Sequence, residues 1–207
     1  ADGLALIQFS SGSTVDPKPV ALTHRNLLAQ CATMRALFPE GEVPQLGVSW
    51  LPLYHDMGLI GALLSAVYYP GPLVLIAPQD FLARPSLWLR AVSRHRATLS
   101  GGPNFAYALC LKRIRDEELA GIDLSSWRVA FNGAEPISPE VVRRFTERFG
   151  RFGFRAEALT PVYGLAEASP AGTFSAPGRQ PRVRGIDPAA LAERGEVQEG
   201  SRDLVSV

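Results

Sequence analysis

Lysine is scarce in this 207-residue chain. Of its 21 basic residues only Lys18 and Lys112 are lysines, so each is judged by its surroundings. Cysteine is scarcer than any disulfide scaffold allows: Cys31 and Cys110 both fall inside apolar helical patterns and read as buried free thiols. The three histidines, His24, His55 and His95, show no metal-ligand spacing between any two. No apolar run reaches the roughly 18 residues of a membrane span. The nearest, residues 57–69, is short and broken by Gly58, Gly61 and Ser65. The N-terminus has no basic segment before an apolar stretch, so no signal peptide is read, and a cytoplasmic protein is expected. It also lacks an initiator Met and is read as a piece of a longer chain. Net charge is only +1, which gives no reason to expect nucleic acid or an acidic membrane face as partner. G-x-S-x-G, a Walker A loop and a strand-borne G-x-G-x-x-G are all missing.

What is present is enough apolar residue, 46%, to fill a sizeable core. Strand-length apolar runs alternate with helix-period stretches. Strands are predicted at 4–9, 48–51, 73–77, 98–100, 128–131 and 158–162. Helices are predicted at 23–38, from Asp56 as cap to Tyr69, at 85–96, at 103–118 and from Ser138-Pro139-Glu140 to Phe149. Ser138 there is an N-cap, Pro139 a first-turn proline, and Glu140 an acid suited to the helix dipole. Strand, loop and helix recurring this way predict an α/β fold: a mostly parallel sheet with helices on both faces. Ligands of such sheets sit beyond the carboxyl ends of the strands. Residues 170–207 differ, being broken by glycines and rich in arginine. They predict a peripheral extension with one short helix at 188–193, opened by Asp187-Pro188. The chain thus divides into a lobe, 1–178, and an extension, 179–207. Its apolar residues Val183, Ile186, Leu191, Leu204 and Val205 predict that the extension packs against the lobe and does not trail as a linker.

Five loops could carry chemistry. The first, Ser10-Ser11-Gly12-Ser13-Thr14-Val15-Asp16-Pro17-Lys18-Pro19, offers hydroxyls, a permissive glycine and a lysine, a set that can cradle and neutralise phosphate. A solvated Ser/Pro turn has the same composition. In the second, Leu53-Tyr54-His55-Asp56-Met57-Gly58, His55 can polarise a substrate or simply sit beside an N-cap. The third, Ser100-Gly101-Gly102-Pro103-Asn104-Phe105, lets a ligand approach backbone or makes a tight strand-to-helix turn. The fourth is Asn132-Gly133-Ala134-Glu135-Pro136. The fifth is Tyr163-Gly164-Leu165-Ala166-Glu167, where a ring can stack on a base and a carboxylate can hold Mg²⁺. All five are expected on one sheet edge.

Together these loops resemble the adenylate-forming superfamily of acyl-CoA synthetases, luciferases and peptide-synthetase adenylation domains, in order and spacing across residues 4–170. Within it the wording is closest to fatty acyl-AMP ligases, notably Trp50-Leu51-Pro52-Leu53-Tyr54-His55-Asp56-Met57-Gly58 and Gly101-Gly102-Pro103-Asn104-Phe105-Ala106-Tyr107. The resemblance implies ATP held by Ser11, Gly12, Ser13, Thr14 and Lys18 at its phosphates, and by Gly133, Ala134, Glu135, Pro136, Tyr163 and Gly164 around adenine. It implies Mg²⁺ on Glu167, catalytic roles for Thr14, His55 and Glu167, and an acyl site at His55, Gly102, Asn104 and Phe105. The implied reaction joins a fatty acid to AMP, releases pyrophosphate, and passes the acyl group to an acyl carrier protein, in lipid biosynthesis or polyketide synthase loading. A CoA ligase of the same superfamily and a non-catalytic binding lobe are the alternatives. Val15 and Pro19 stand where the phosphate loop usually has glycine; valine disfavours positive φ and proline removes an N–H. The superfamily's ribose-binding aspartate, hinge and lysine-bearing C-terminal domain have no counterpart within these residues. The 207-residue piece is therefore expected not to make acyl-AMP by itself. The extension resembles an insertion that restrains the C-terminal domain and so favours the acyl-adenylate over the CoA thioester.

Overall fold

A computed structural model describes residues 1–10, 18–36 and 45–207, the side chain of Ser10 excepted. Strands β1 (Leu4–Ser10) and β2 (Lys18–Thr23) pair antiparallel, with Ser10 opposite Lys18 and Phe9 opposite Pro19. Helix α1 (His24–Ala36) follows, its start closed by Thr23 and Asn26, each accepting from the other's backbone N–H. After β3 (Gly47–Ser49) the chain enters one continuous helical stretch: α2 (Asp56–Gly58), a π-helical turn (Leu59–Leu64) and α3 (Ser65–Tyr68). Next come β4 (Leu73–Leu75), α4 (Pro78–Ala83), α5 (Ser86–His95), β5 (Leu99–Pro103) and α6 (Asn104–Arg113). Then follow β6 (Val129–Gly133), α7 (Pro139–Gly150), β7 (Leu159–Gly164) and β8 (Ala171–Phe174). The chain closes with β9 (Arg182–Ile186), α8 (Pro188–Arg194) and β10 (Arg202–Ser206).

Six strands form the central sheet in the order β4-β3-β5-β6-β7-β8. Its first five strands are parallel, and β8 adds antiparallel at one edge. The main core lies between one sheet face and helices α4 to α7. Trp88, Trp127, Tyr107, Phe81, Phe145 and Phe149 are fully buried there, mostly edge to face. Burying a Phe-sized side chain contributes about 1.5–3 kcal/mol, so this cluster anchors the fold. Two polar groups inside it pair with each other: Trp88 Nε1 donates to Ser100 Oγ at 2.7 Å, and Ser100 Oγ donates to the Val48 carbonyl at 2.6 Å. Burial pushes the Cys110 thiol and the Tyr107 phenol well above their ordinary pKa values.

The element order follows the alternation read from sequence, with instructive differences. Leu4–Ser10 is a strand, yet it belongs to a separate ribbon and not to the parallel sheet. The helix expected over 103–118 ends at Arg113. Arg148 donates to the Leu111 and Ile114 carbonyls, satisfying the end of α6, and Asp116–Leu119 forms a separate 3₁₀ turn. The expected cap at Asp56 moves one residue earlier: His55 is the N-cap, its Nδ1 accepting from Met57 N–H. In the tail, Asp187 caps α8 as expected, and β9 and β10 pair around it. Ile186 and Ala190 are buried, and the Ser175 hydroxyl donates to the Ser206 carbonyl at 3.4 Å.

Candidate active site

The sheet face opposite the aromatic core looks onto a cavity of about 1490 Å³. Alternation along each strand decides what faces it. Ala130 points into the core, while Gly47, Ser49, Gly101 and Phe131 line the cavity. The far wall comes from α1 and the π-helical stretch, through Cys31, Met34, Met57, Ala62 and Ala66. A π-helical turn is uncommon and recurs at functional sites. Here Ser65 Oγ donates to the Ile60 carbonyl at 2.9 Å within it.

The β1–β2 ribbon closes one end. Val20 and Leu22 point inward at strand period and pack with Ile60 and Ala166 in a small second core. Gripping Ala166 sets its neighbour Glu167 at the cavity wall, and Lys18, two residues before Val20, lines the same cavity. A cation and a carboxylate are thereby brought to one space from distant parts of the sequence.

His55, Asp56 and Tyr54 enter from the loop after β3. His55 Nδ1 lies 3.0 Å from Asp56 Oδ1, and hydrogen bonding to Asp56 raises the imidazole pKa against the opposing pull of partial burial. When Nδ1 carries a proton it pairs with Asp56, whose Oδ1 also accepts from Met57 N–H at 2.6 Å. Ala134, after β6, and Tyr163 and Gly164, at the end of β7, complete the rim. Tyr163 is 59% exposed and lines the cavity, which leaves it accessible to a stacking partner. Gly164 sits under a tight return of the chain: a Cβ there would lie 2.1 Å from the Pro170 carbonyl oxygen.

Of the residues singled out in the sequence, Lys18, His55, Ala134, Tyr163, Gly164 and Glu167 converge on this cavity. Ser11, Gly12, Ser13 and Thr14 lie outside the described residues, as does Val15. Gly133, Glu135 and Pro136 do not line the cavity, nor do Gly102, Asn104 and Phe105. Gly102 faces the aromatic core, Asn104 Oδ1 accepts from Ser138 N–H at 3.2 Å, and Phe105 N–H donates to Glu135 Oε1. Sequence reading missed the wall of α1, and also Phe131 and Phe174, whose rings meet edge to face across β6 and β8. Their strand alternation was the available signal. Glu167 is exposed at the cavity, and no group of three metal-ligating side chains occurs among the described residues. One carboxylate suits Mg²⁺, which commonly binds one or two carboxylates with substrate phosphates and water. Among the described residues no helix is long and apolar enough to cross a membrane.

An α/β lobe with cation, carboxylate and aromatic groups around one cavity on its sheet, and an apolar wall behind them, has the layout of a ligand-binding lobe. Residues 1–192 match the family of AMP-binding enzymes, and the chain belongs to that family. It is 42% identical over 209 residues to a medium-chain-fatty-acid–[acyl-carrier-protein] ligase of Teredinibacter turnerae, matching 99% of this chain and 32% of the relative. It is 38% identical to a 4-hydroxyphenylalkanoate adenylyltransferase of Mycobacterium tuberculosis, matching 98% of this chain and 34% of that protein. The fold superposes with a TM-score of 0.90 on a crystal structure of a fatty acyl-adenylate ligase from L. pneumophila in complex with acyl adenylate and pyrophosphate. That structure is 40% identical, over 97% of this chain and 36% of its own. The chain therefore spans about a third of the length of these relatives.

Proposed function

We propose that this lobe serves an ATP-dependent ligase that activates a fatty acid as its acyl-adenylate and delivers the acyl group to an acyl-carrier-protein thiol. The observation that carries this reading is the convergence of Lys18, His55, Tyr163 and Glu167 on one cavity whose far wall, from Cys31 to Ala66, is largely apolar. Attack of a carboxylate on the α-phosphate makes little covalent demand on a protein. It needs alignment and neutralised charge. Lys18, with Ser11, Ser13 and Thr14, binds the phosphates. Tyr163 and the Ala134 backbone bind adenine. His55 orients the carboxylate at the mouth of the apolar limb. Glu167 would hold Mg²⁺, which supplies charge neutralisation at the phosphates when bound. The names of the relatives support a fatty acid and a carrier protein as partners. A cytoplasmic setting, in lipid biosynthesis or polyketide loading, is part of the same proposal. The extension, residues 179–207, acts on this reading to favour the acyl-adenylate.

The full-length protein, given ATP and medium-chain fatty acid, is expected to load a carrier-protein thiol and to make little acyl-CoA. Equal use of CoA and carrier thiols would point to a CoA ligase. No adenylation with any acid would point to a binding lobe.

A further inference from the structure

The loop before α6 and the loop before α7 hold each other. Asn104, the first residue of α6, accepts through Oδ1 from the backbone N–H of Ser138, the N-cap of α7. In return the Glu135 carboxylate, in the loop before α7, accepts from the Phe105 N–H in the first turn of α6. A third tie comes from the same turn: the Tyr107 hydroxyl donates to the Phe131 carbonyl, upstream on β6. The three ties bracket Ala134, which faces the cavity with φ +62°. A non-glycine residue in the left-handed region is uncommon, so surrounding structure must hold it there.

Resting on the reading that the Ala134 backbone meets adenine, we infer that Asn104 and Glu135 are positioning residues for the nucleobase. Neither lines the cavity. They act through the Ala134 backbone, setting where its peptide groups face the purine edge. This gives residues 102–105 a task different from an acyl wall: the segment is a brace for base recognition. The Glu135 carboxylate is a charged acceptor and the Asn104 amide a neutral one, and neither tie is fully buried, so the effect read in binding is about tenfold.

The test uses the full-length protein with Glu135→Ala, Glu135→Gln, Asn104→Ala and Asn104→Asp. Binding of ATP and of GTP is measured directly, beside the KM for fatty acid. Both alanine variants should weaken ATP binding about tenfold and narrow the preference for ATP over GTP, with the fatty-acid KM little moved. Glu135→Gln and Asn104→Asp keep an acceptor oxygen and should recover most of the loss. Folding is checked by near-UV circular dichroism, which reports the aromatic core. Should Glu135→Ala not fold, Asn104→Ala carries the same prediction. Failure of both to fold would mean that the clasp serves stability alone, and the inference would fall. Unchanged ATP affinity and base preference in folded alanine variants would also overturn it, leaving the adenylation reading intact. No saturable ATP binding by the unaltered protein would overturn both.

Discussion

Gly102 lies directly beneath the Trp50 indole: a Cβ at position 102 would sit 2.4 Å from Trp50 Cζ2. The ring cannot retreat, because it stacks on Phe81 with centroids 4.0 Å apart and meets Trp88 edge-on. Gly102→Ala should therefore overpack the core and destabilise the protein by about 1–3 kcal/mol. Chemical denaturation checks this. An unchanged midpoint would show that the indole has room to move.

That contact also shows how far the sequence could be read. The paired glycines Gly101 and Gly102 were visible, as was a strand before them and a helix after. The sequence offered two reasons for them, approach of a ligand or a tight strand-to-helix turn, and the structure adds a third at Gly102, close packing of a side chain. Only the position of Trp50, 52 residues earlier, decides it. The parallel sheet was legible because buried strands and amphipathic helices alternate with clear periods. The separate ribbon was not. Leu4–Ser10 has the apolar run of a buried parallel strand, and its partner Lys18–Thr23 reads locally as the end of a polar loop. Their pairing is a long-range fact that no periodicity reports. The convergence of Lys18 with Glu167 depends on Val20 and Leu22 packing against Ala166, which is again tertiary.

The His55–Asp56 pair gives a pH signature. The folded-state pKa of His55 is raised, chiefly by hydrogen bonding to Asp56. A raised pKa means the pairing stabilises the fold fully below the unfolded histidine value, about 6.5. That contribution is lost as pH rises through the higher folded value. NMR titration of the His55 ring should give a pKa above that of a free histidine, and Asp56→Asn should lower it. Equal values in both proteins would dissociate the two side chains.

Tyr163 and Glu167 should separate cleanly in function. Both are exposed at the cavity, so neither substitution should much change the melting temperature. In the full-length enzyme Tyr163→Ala should weaken ATP use with little effect on fatty-acid binding. A ring stacked on a base is worth about 1–3 kcal/mol by alanine substitution. Glu167→Gln should instead raise the Mg²⁺ concentration needed for half-maximal rate. Unchanged constants for ATP and Mg²⁺ would remove both assignments.

The most direct test of the central claim is ATP–pyrophosphate exchange by the full-length protein, measured with and without a medium-chain fatty acid. Activation through an acyl-adenylate predicts that label from pyrophosphate enters ATP only when the acid is present, and that Lys18→Ala slows the exchange by tenfold or more, on the order of 1.4 kcal/mol in transition-state stabilisation. Exchange that ignores the acid, or no exchange with any carboxylic acid while the protein is folded and binds ATP, would contradict it.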